Sequence, residues 1–169
     1  EELKLLNEYK EDLPLAVFNK EFNPPKTDGS GFIRKELSKA TSLLQESGWE
    51  LDEGKLMNKQ NGKHFEFEIL LVSPAFERIV LPFKDNLKKL GIDVKVRTID
   101  SAQYQQRLET FDFDMVVASI RQSLSPGNEQ RNFWGSDAAD TNGSRNIVGI
   151  KSPVIDSLIE KVISAKDRE

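Results

Sequence analysis

The chain has 169 residues, 37% apolar and 31% charged, which suits a globular domain with a core of its own and an appended arm. A net charge of −4 argues against a nucleic-acid partner, which favours basic footprints. Cysteine is absent, so disulfides, thiol nucleophiles and thiolate metal sites are excluded, and no run of ~20 apolar residues reads as a membrane span. The chain opens Glu1-Glu2-Leu3 with neither a methionine nor a signal peptide, which reads as a processed or cut piece.

In chain order, Leu3, Leu6 and Tyr9 fall at helical spacing until Pro14 breaks the pattern. Residues 21–31 hold Pro24-Pro25 and Asp28-Gly29-Ser30-Gly31, an extended linker ending in a turn. Residues 1–33 carry too little apolar surface to fold alone and are expected to lean on other chain. Residues 34–47 predict a helix with Leu37, Ala40, Leu43 and Leu44 on one stripe, closed by Gly48 with Trp49 as the apolar contact beyond it. Two turn signals follow, Asp52-Glu53-Gly54 and Asn61-Gly62, and predict a small antiparallel hairpin. Residues 64–72 alternate Phe65, Phe67, Ile69 and Leu71 with Glu66 and Glu68, a strand that becomes buried on both faces toward its end.

Ser73-Pro74 is a cap followed by proline at the first helical position. The helix it opens carries Phe76, Ile79, Val80, Phe83, Leu87 and Leu90, with a bend expected at Pro82 and an end at Gly91. Residues 92–99 predict a half-exposed strand near a sheet edge, and strand, helix and strand together make a right-handed βαβ crossover. Asp100 and Gln103 resemble a capping box ahead of a short helix with Tyr104 and Leu108. Residues 113–120 are apolar on both alternate sets, Phe113, Met115 and Val117 against Val116, Ala118 and Ile120. That pattern predicts a strand inside a sheet covered on both sides. Ser152-Pro153 opens a last helix with Ile155, Leu158, Ile159, Val162 and Ile163 on one stripe. The fold class is therefore α/β: a mixed sheet with a βαβ crossover and helices on both faces, residues 34–169 forming one domain.

Residues 121–146, RQSLSPGNEQRNFWGSDAADTNGSRN, leave the end of the last strand as a long polar loop, the place where α/β sheets bind ligands. Residues 129–134 look like a helix start, whose amides attract carboxylates. Phe133 and Trp134 could form an apolar wall, and Arg131 and Arg145 could clamp a carboxylate. Three arginines and three carboxylates (Glu129, Asp137, Asp140) balance, which suits a zwitterion such as a peptide better than a polyanion. The plainer reading makes Trp134 core and the arginines solvated. The other chemistry is thin. His64 is a lone histidine and predicts no metal site, and no Ser/His/Asp set or glycine-rich phosphate loop is present. Asp112 and Asp114 share a strand face and could be an acid/base pair, or simply strand-entry residues making turns and caps.

Three stretches carry a resemblance: SPAFERIVLPFKDNLKKLGIDVKVRTIDSAQY (73–104), RLETFDFDM (107–115), and SLSPGNEQRNFWGS with GSRNIVGIKSPVIDSLI. They resemble extracellular solute-binding proteins of family 5, the oligopeptide, dipeptide and nickel binders of ABC importers, and most closely the YejA-like oligopeptide-binding branch. The resemblance implies one lobe of a type II, cluster C periplasmic-binding-protein fold and a fragment of a longer two-lobed receptor. It implies a periplasmic, monomeric, non-enzymatic protein without cofactor or metal, which traps a peptide or peptide-like ligand by hinge closure and hands it to a membrane permease. The lining residues it suggests are Gln122, Ser123, Ser125, Asn128, Arg131, Trp134, Arg145 and Asn146. Many oligopeptide binders carry an aspartate where this chain has Gln122, four residues before Pro126, to meet the ligand's α-amine; a neutral amide cannot pair with an ammonium in that way. Two other readings stand beside it: a permease-docking lobe without ligand contact, and a hydrolase using Asp112 or Asp114 with Arg131.

Overall fold

The computed structural model describes residues 2–166. In chain order its elements are α1 (Glu2–Leu6), α2 (Ala16–Asn19), α3 (Arg34–Glu46), β1 (Trp49–Asp52), β2 (Lys55–Asn58), β3 (Glu66–Leu71), α4 (Glu77–Lys88), β4 (Asp93–Thr98), α5 (Ser101–Glu109), β5 (Met115–Val116), α6 (Glu129–Trp134) and α7 (Pro153–Ser164). Short 3-10 turns lie at Asn7–Tyr9, Pro74–Phe76 and Asp137–Asp140. Two compact units result, one of residues 29–121 and one joining 1–28 to 122–169.

The first unit is built on β3. Ile69, Leu70 and Leu71 are essentially inaccessible, so this strand is covered on both faces, as its sequence predicts. Burying each such side chain stabilises the fold by ~2–3 kcal/mol. β4 and β5 flank it, both parallel to it, with Phe67 opposite Val94 and Ile69 opposite Met115. On one face Ile69 and Leu71 join Leu56, Val80, Ile92 and Val94, with Leu44, Trp49, Leu87 and Leu90 packed around them. Leu70 points to the other face, where α5 contributes the buried Tyr104, whose hydroxyl donates to the Val117 carbonyl at 2.8 Å. The antiparallel ladder is a separate two-stranded hairpin, β1 with β2, turned at Glu53-Gly54, to which His64 adds one antiparallel bridge at Met57.

Local signals explain the element ends. Asp100 caps α5 by accepting from the Ala102 and Gln103 amides. Ser73 accepts from the Ala75 amide, but the first turn after Pro74 is 3-10, and α4 proper starts at Glu77 with Pro82 in its interior. Gly91, at φ +80°, ends that helix, and its carbonyl accepts from the Leu56 amide and approaches His64 Nε2. His64 is thus an ordinary hydrogen-bonding residue beside the hairpin. On α3, Leu37, Ala40 and Leu44 face inward while Leu43, expected on the same stripe, is half exposed.

The strand expected over residues 113–120 is shorter and more exposed than its pattern predicts. Only Met115 and Val116 pair, Met115 is 39% accessible, and residues 118–120 are exposed. The reason is position in the sheet. Within this unit β5 has one neighbour, so its other side has neither ladder nor cover. Its entry is clasped by side chains: Asp114 accepts from the Glu68 amide at 2.9 Å, and Arg107 reaches the Asp112 carbonyl and carboxylate and the Glu68 carboxylate. Asp112 and Asp114 are therefore engaged as strand-entry residues, the structural member of the two readings they allowed.

In the second unit α6 packs on α7, and Phe133, Ala138, Val154 and Ile159 are buried. Ser152 caps α7 from in front of Pro153. Ile159 and Val154 face inward, whereas Val162, expected on the same stripe, is 42% accessible. The N-terminal residues lean on α7, as their meagre apolar content requires: Tyr9 shares a 2.6 Å hydrogen bond with Ser157, and Lys161 pairs with Glu8.

Candidate functional site

The strand order β4-β3-β5 contains a reversal. From β3 the chain winds to β4 on one side, then crosses back through α5 to β5 on the other. In open parallel sheets such a reversal leaves a crevice at the carboxyl ends of the two adjacent strands between which it falls, the usual ligand position. Here those ends are Leu71 and Val116, and the chain leaves the second of them toward Gln122.

Residues 122–146 form the candidate loop, held by a set of side-chain contacts within its own unit. Gln130, almost wholly buried, is the hub. Its amide nitrogen donates to Gln122 Oε1 at 2.6 Å and Glu129 Oε1 at 3.2 Å, and its carbonyl accepts from Trp134 Nε1 at 3.1 Å. The Gln122 amide nitrogen has no partner among the described residues. Ser123 closes a turn on itself: its hydroxyl donates to the Ser125 carbonyl and accepts the Ser125 amide. Asn128 Oδ1 accepts from Arg131 at 2.7 Å, and the Arg131 guanidinium grips both oxygens of Glu160 on α7.

The expected anion position at the start of α6 is already filled. The Glu129 carboxylate accepts from the Gly127 amide at 2.9 Å, and that bond, with the residue's own amide and Gln130, holds it below the usual carboxylate range. Arg145 is exposed, with its guanidinium carbon 5.3 Å from the Phe133 ring centre and no carboxylate partner among the described residues. Trp134 is half-buried beside Phe133, ring centres 6.1 Å apart. Asn146 is completely buried: its amide nitrogen donates to the Gly135 and Ile150 carbonyls, and its oxygen accepts the Ile150 amide.

The eight residues singled out from sequence thus divide. Gln122, Ser125, Trp134 and Arg145 keep surface or donors for a ligand. Ser123, Asn128 and Arg131 are occupied by neighbours, and Asn146 is a framework residue. Gln130, Ser136 and Asp156 were not singled out. Asp156 accepts both the amide and the hydroxyl of Ser136, and the Ser136 hydroxyl accepts the Ser152 amide, tying the loop to the start of α7. Gln130 was visible in principle, four residues before Trp134 and therefore on its helix face; the Ser136–Asp156 pair, twenty residues apart, was not.

The Arg131–Glu160 pair predicts a pH effect. The bond from Arg131 holds the Glu160 carboxyl below its ordinary value. A depressed carboxylate stabilises the fold above its unfolded pKa, and the contribution is lost as pH falls through the lower folded value. In an NMR titration, Arg131→Gln is expected to move the Glu160 midpoint up toward the ordinary glutamate value; an unmoved midpoint would show that the pair does not persist in solution.

Comparison with known proteins places the fold. The profile of the family described as "Bacterial extracellular solute-binding proteins, family 5 Middle" matches residues 9–142. The chain belongs to that family. Family 5 relatives include the probable peptide-binding protein YejA of Agrobacterium fabrum, 42% identical over 99% of this chain and 27% of its own length. They also include y4wM of Sinorhizobium fredii, 49% identical over 99% of this chain and 25% of its own. Among solved structures, the oligopeptide-binding protein AppA of Bacillus subtilis, in complex with a nonapeptide, superposes with a TM-score of 0.66 at 25% identity, covering 88% of this chain and 28% of AppA. The chain therefore spans about a quarter of the length of these relatives. The α/β fold with helices and a parallel sheet is that of these family 5 binding proteins.

Proposed function

We propose that this chain is a ligand-contacting lobe of a periplasmic oligopeptide-binding receptor, which traps a peptide or peptide-like solute by hinge closure and delivers it to the permease of an ABC importer. Family membership and relatives named for peptide binding support the class. The observation that carries ligand contact is the division of the loop: the exposed Gln122 amide nitrogen and Arg145 guanidinium have no acceptor among the described residues, whereas Arg131 is committed to Glu160 and Asn146 to backbone groups. Both offer only protons from nitrogen at these positions, which suits peptide carbonyls or a terminal carboxylate and not an α-amine. In this reading Gln122 donates to a ligand carbonyl where an aspartate would have met the ammonium. Arg145, beside the Phe133 ring, takes the carboxylate. Closure follows because the closed state alone lets the ligand touch groups on both sides of the cleft.

Calorimetry of the full-length receptor against peptides of two to nine residues tests this. Arg145→Ala is expected to weaken binding about tenfold, the scale of one exposed charge-assisted contact. Arg131→Ala, whose charge is already spent on Glu160, is expected to change it less than threefold. Absence of binding across the panel, or a larger loss from Arg131 than from Arg145, would count against the assignment.

A further inference from the structure

A second surface, sharing no residue with the loop, carries a charge pattern that the structure leaves unanswered. An open groove of about 290 Å³ in the first unit is lined by Gly54, Lys55, His64, Lys84, Lys88, Gly91, Ile92, Asp93 and Val94. Three of these are lysines, and none of the three ammonium groups has an ion-pair or hydrogen-bond partner among the described residues. Elsewhere in this unit Lys59 pairs with Glu50 and Lys95 with Glu66, while Lys35, Lys39 and Lys63 also lack a side-chain partner among the described residues; what sets Lys55, Lys84 and Lys88 apart is that they line one concavity. Lys84 and Lys88 stand four apart on α4, one above the other, where like charges destabilise a helix. Three unmatched ammonium groups around one concavity, in a chain of net charge −4, mark a position for an anion.

We propose that this groove docks an acidic, extended segment of a partner protein. Spacing favours that occupant. Residues four apart on a helix are ~6 Å apart along its axis. Alternate residues of an extended chain are ~6.8 Å apart. A Glu-X-Glu stretch laid along α4 therefore sets one carboxylate against Lys84 and the next against Lys88, with Lys55 of β2 as a third cation in the same lining. The one carboxylate in the lining, Asp93, disfavours a phosphate-rich polyanion, whereas a peptide can offer it backbone N–H groups. Openness also favours a chain over a free ion: each contact is solvated and weak, and only several on one tether hold.

The test measures fluorescence anisotropy of a labelled acetyl-Glu-Ala-Glu-Ala-Glu-amide with the full-length protein at low and raised salt, beside its all-glutamine counterpart. The acidic peptide is expected to bind and to lose about tenfold in affinity at raised salt. It is expected to lose about tenfold again in Lys84→Ala/Lys88→Ala, and to be unaffected in Arg145→Ala. Lys84→Glu/Lys88→Glu is expected to prefer an acetyl-Lys-Ala-Lys-Ala-Lys-amide probe, a reversal that a merely structural role for these exposed lysines would not produce. Equal binding of the glutamine peptide overturns the proposal, as does insensitivity to the lysine pair. Loss of binding in Arg145→Ala alone would place the peptide at the cargo loop and overturn it too, and displacement by inorganic phosphate at equal concentration would reduce the groove to a simple anion site.

Discussion

Asn146→Ala is expected to lower the unfolding free energy by about 3 kcal/mol, a large effect for a polar substitution. The side chain is fully buried, and its three hydrogen bonds satisfy Gly135 and Ile150 backbone groups that no helix or strand provides for. Truncation strands two carbonyls and an amide. Each buried unsatisfied group costs ~1–3 kcal/mol. A water entering the void would recover part of that, which is why the sum is not reached. Asn146→Asp is expected to be worse, since it removes both donors and sets a carboxylate against two carbonyl oxygens. Urea unfolding followed through Trp134, with Trp49 replaced by Phe, reads the effect in the unit concerned. A loss below 1 kcal/mol would mean that the loop re-closes without this residue.

Gly91→Ala is expected to cost a similar amount, about 3 kcal/mol, for a different reason. The residue sits at φ +80°, and an added Cβ would stand 2.5 Å from Leu51 Cδ1 and 2.8 Å from the Leu56 backbone nitrogen. The leucine methyl can move; the backbone nitrogen belongs to β2 and already donates to the Gly91 carbonyl. Left-handed backbone alone costs an alanine about 1 kcal/mol. Gly62, at φ +65° with nothing within 4 Å, supplies the control: Gly62→Ala should show that cost without the collision. Chemical denaturation followed through Trp49 measures both, and equal losses at the two positions would remove the steric explanation.

How far the sequence foretold this depends on the range of the interaction. β3, α3 and α5 were legible because their determinants are local: alternation in 64–72, an apolar stripe closed by Gly48, a carboxylate in front of two amides. The strand over 113–120 was misjudged because a doubly apolar run reports what covers a sheet's faces. It is silent on whether another strand lies alongside, and β5 has a neighbour on one side only. In the loop, composition found the segment but not the roles within it. Arg131 and Arg145 are chemically identical in sequence. What separates them is Glu160, 29 residues beyond Arg131 and brought to it by α7. Asn146 looks like a ligand donor because a buried amide that substitutes for missing backbone partners has no periodicity to announce it.

The clasp at the start of β5 fixes more than its position. Because the Asp114 carboxylate takes the Glu68 amide, the ladder cannot begin before Met115. A slip by one residue would bring Phe113 or Met115 against that amide, neither of which has a side-chain oxygen to accept its proton, and would turn every side chain of the strand to the opposite face. One carboxylate thus serves as a locating pin, letting a strand only two residues long hold its alignment where so brief a ladder could not.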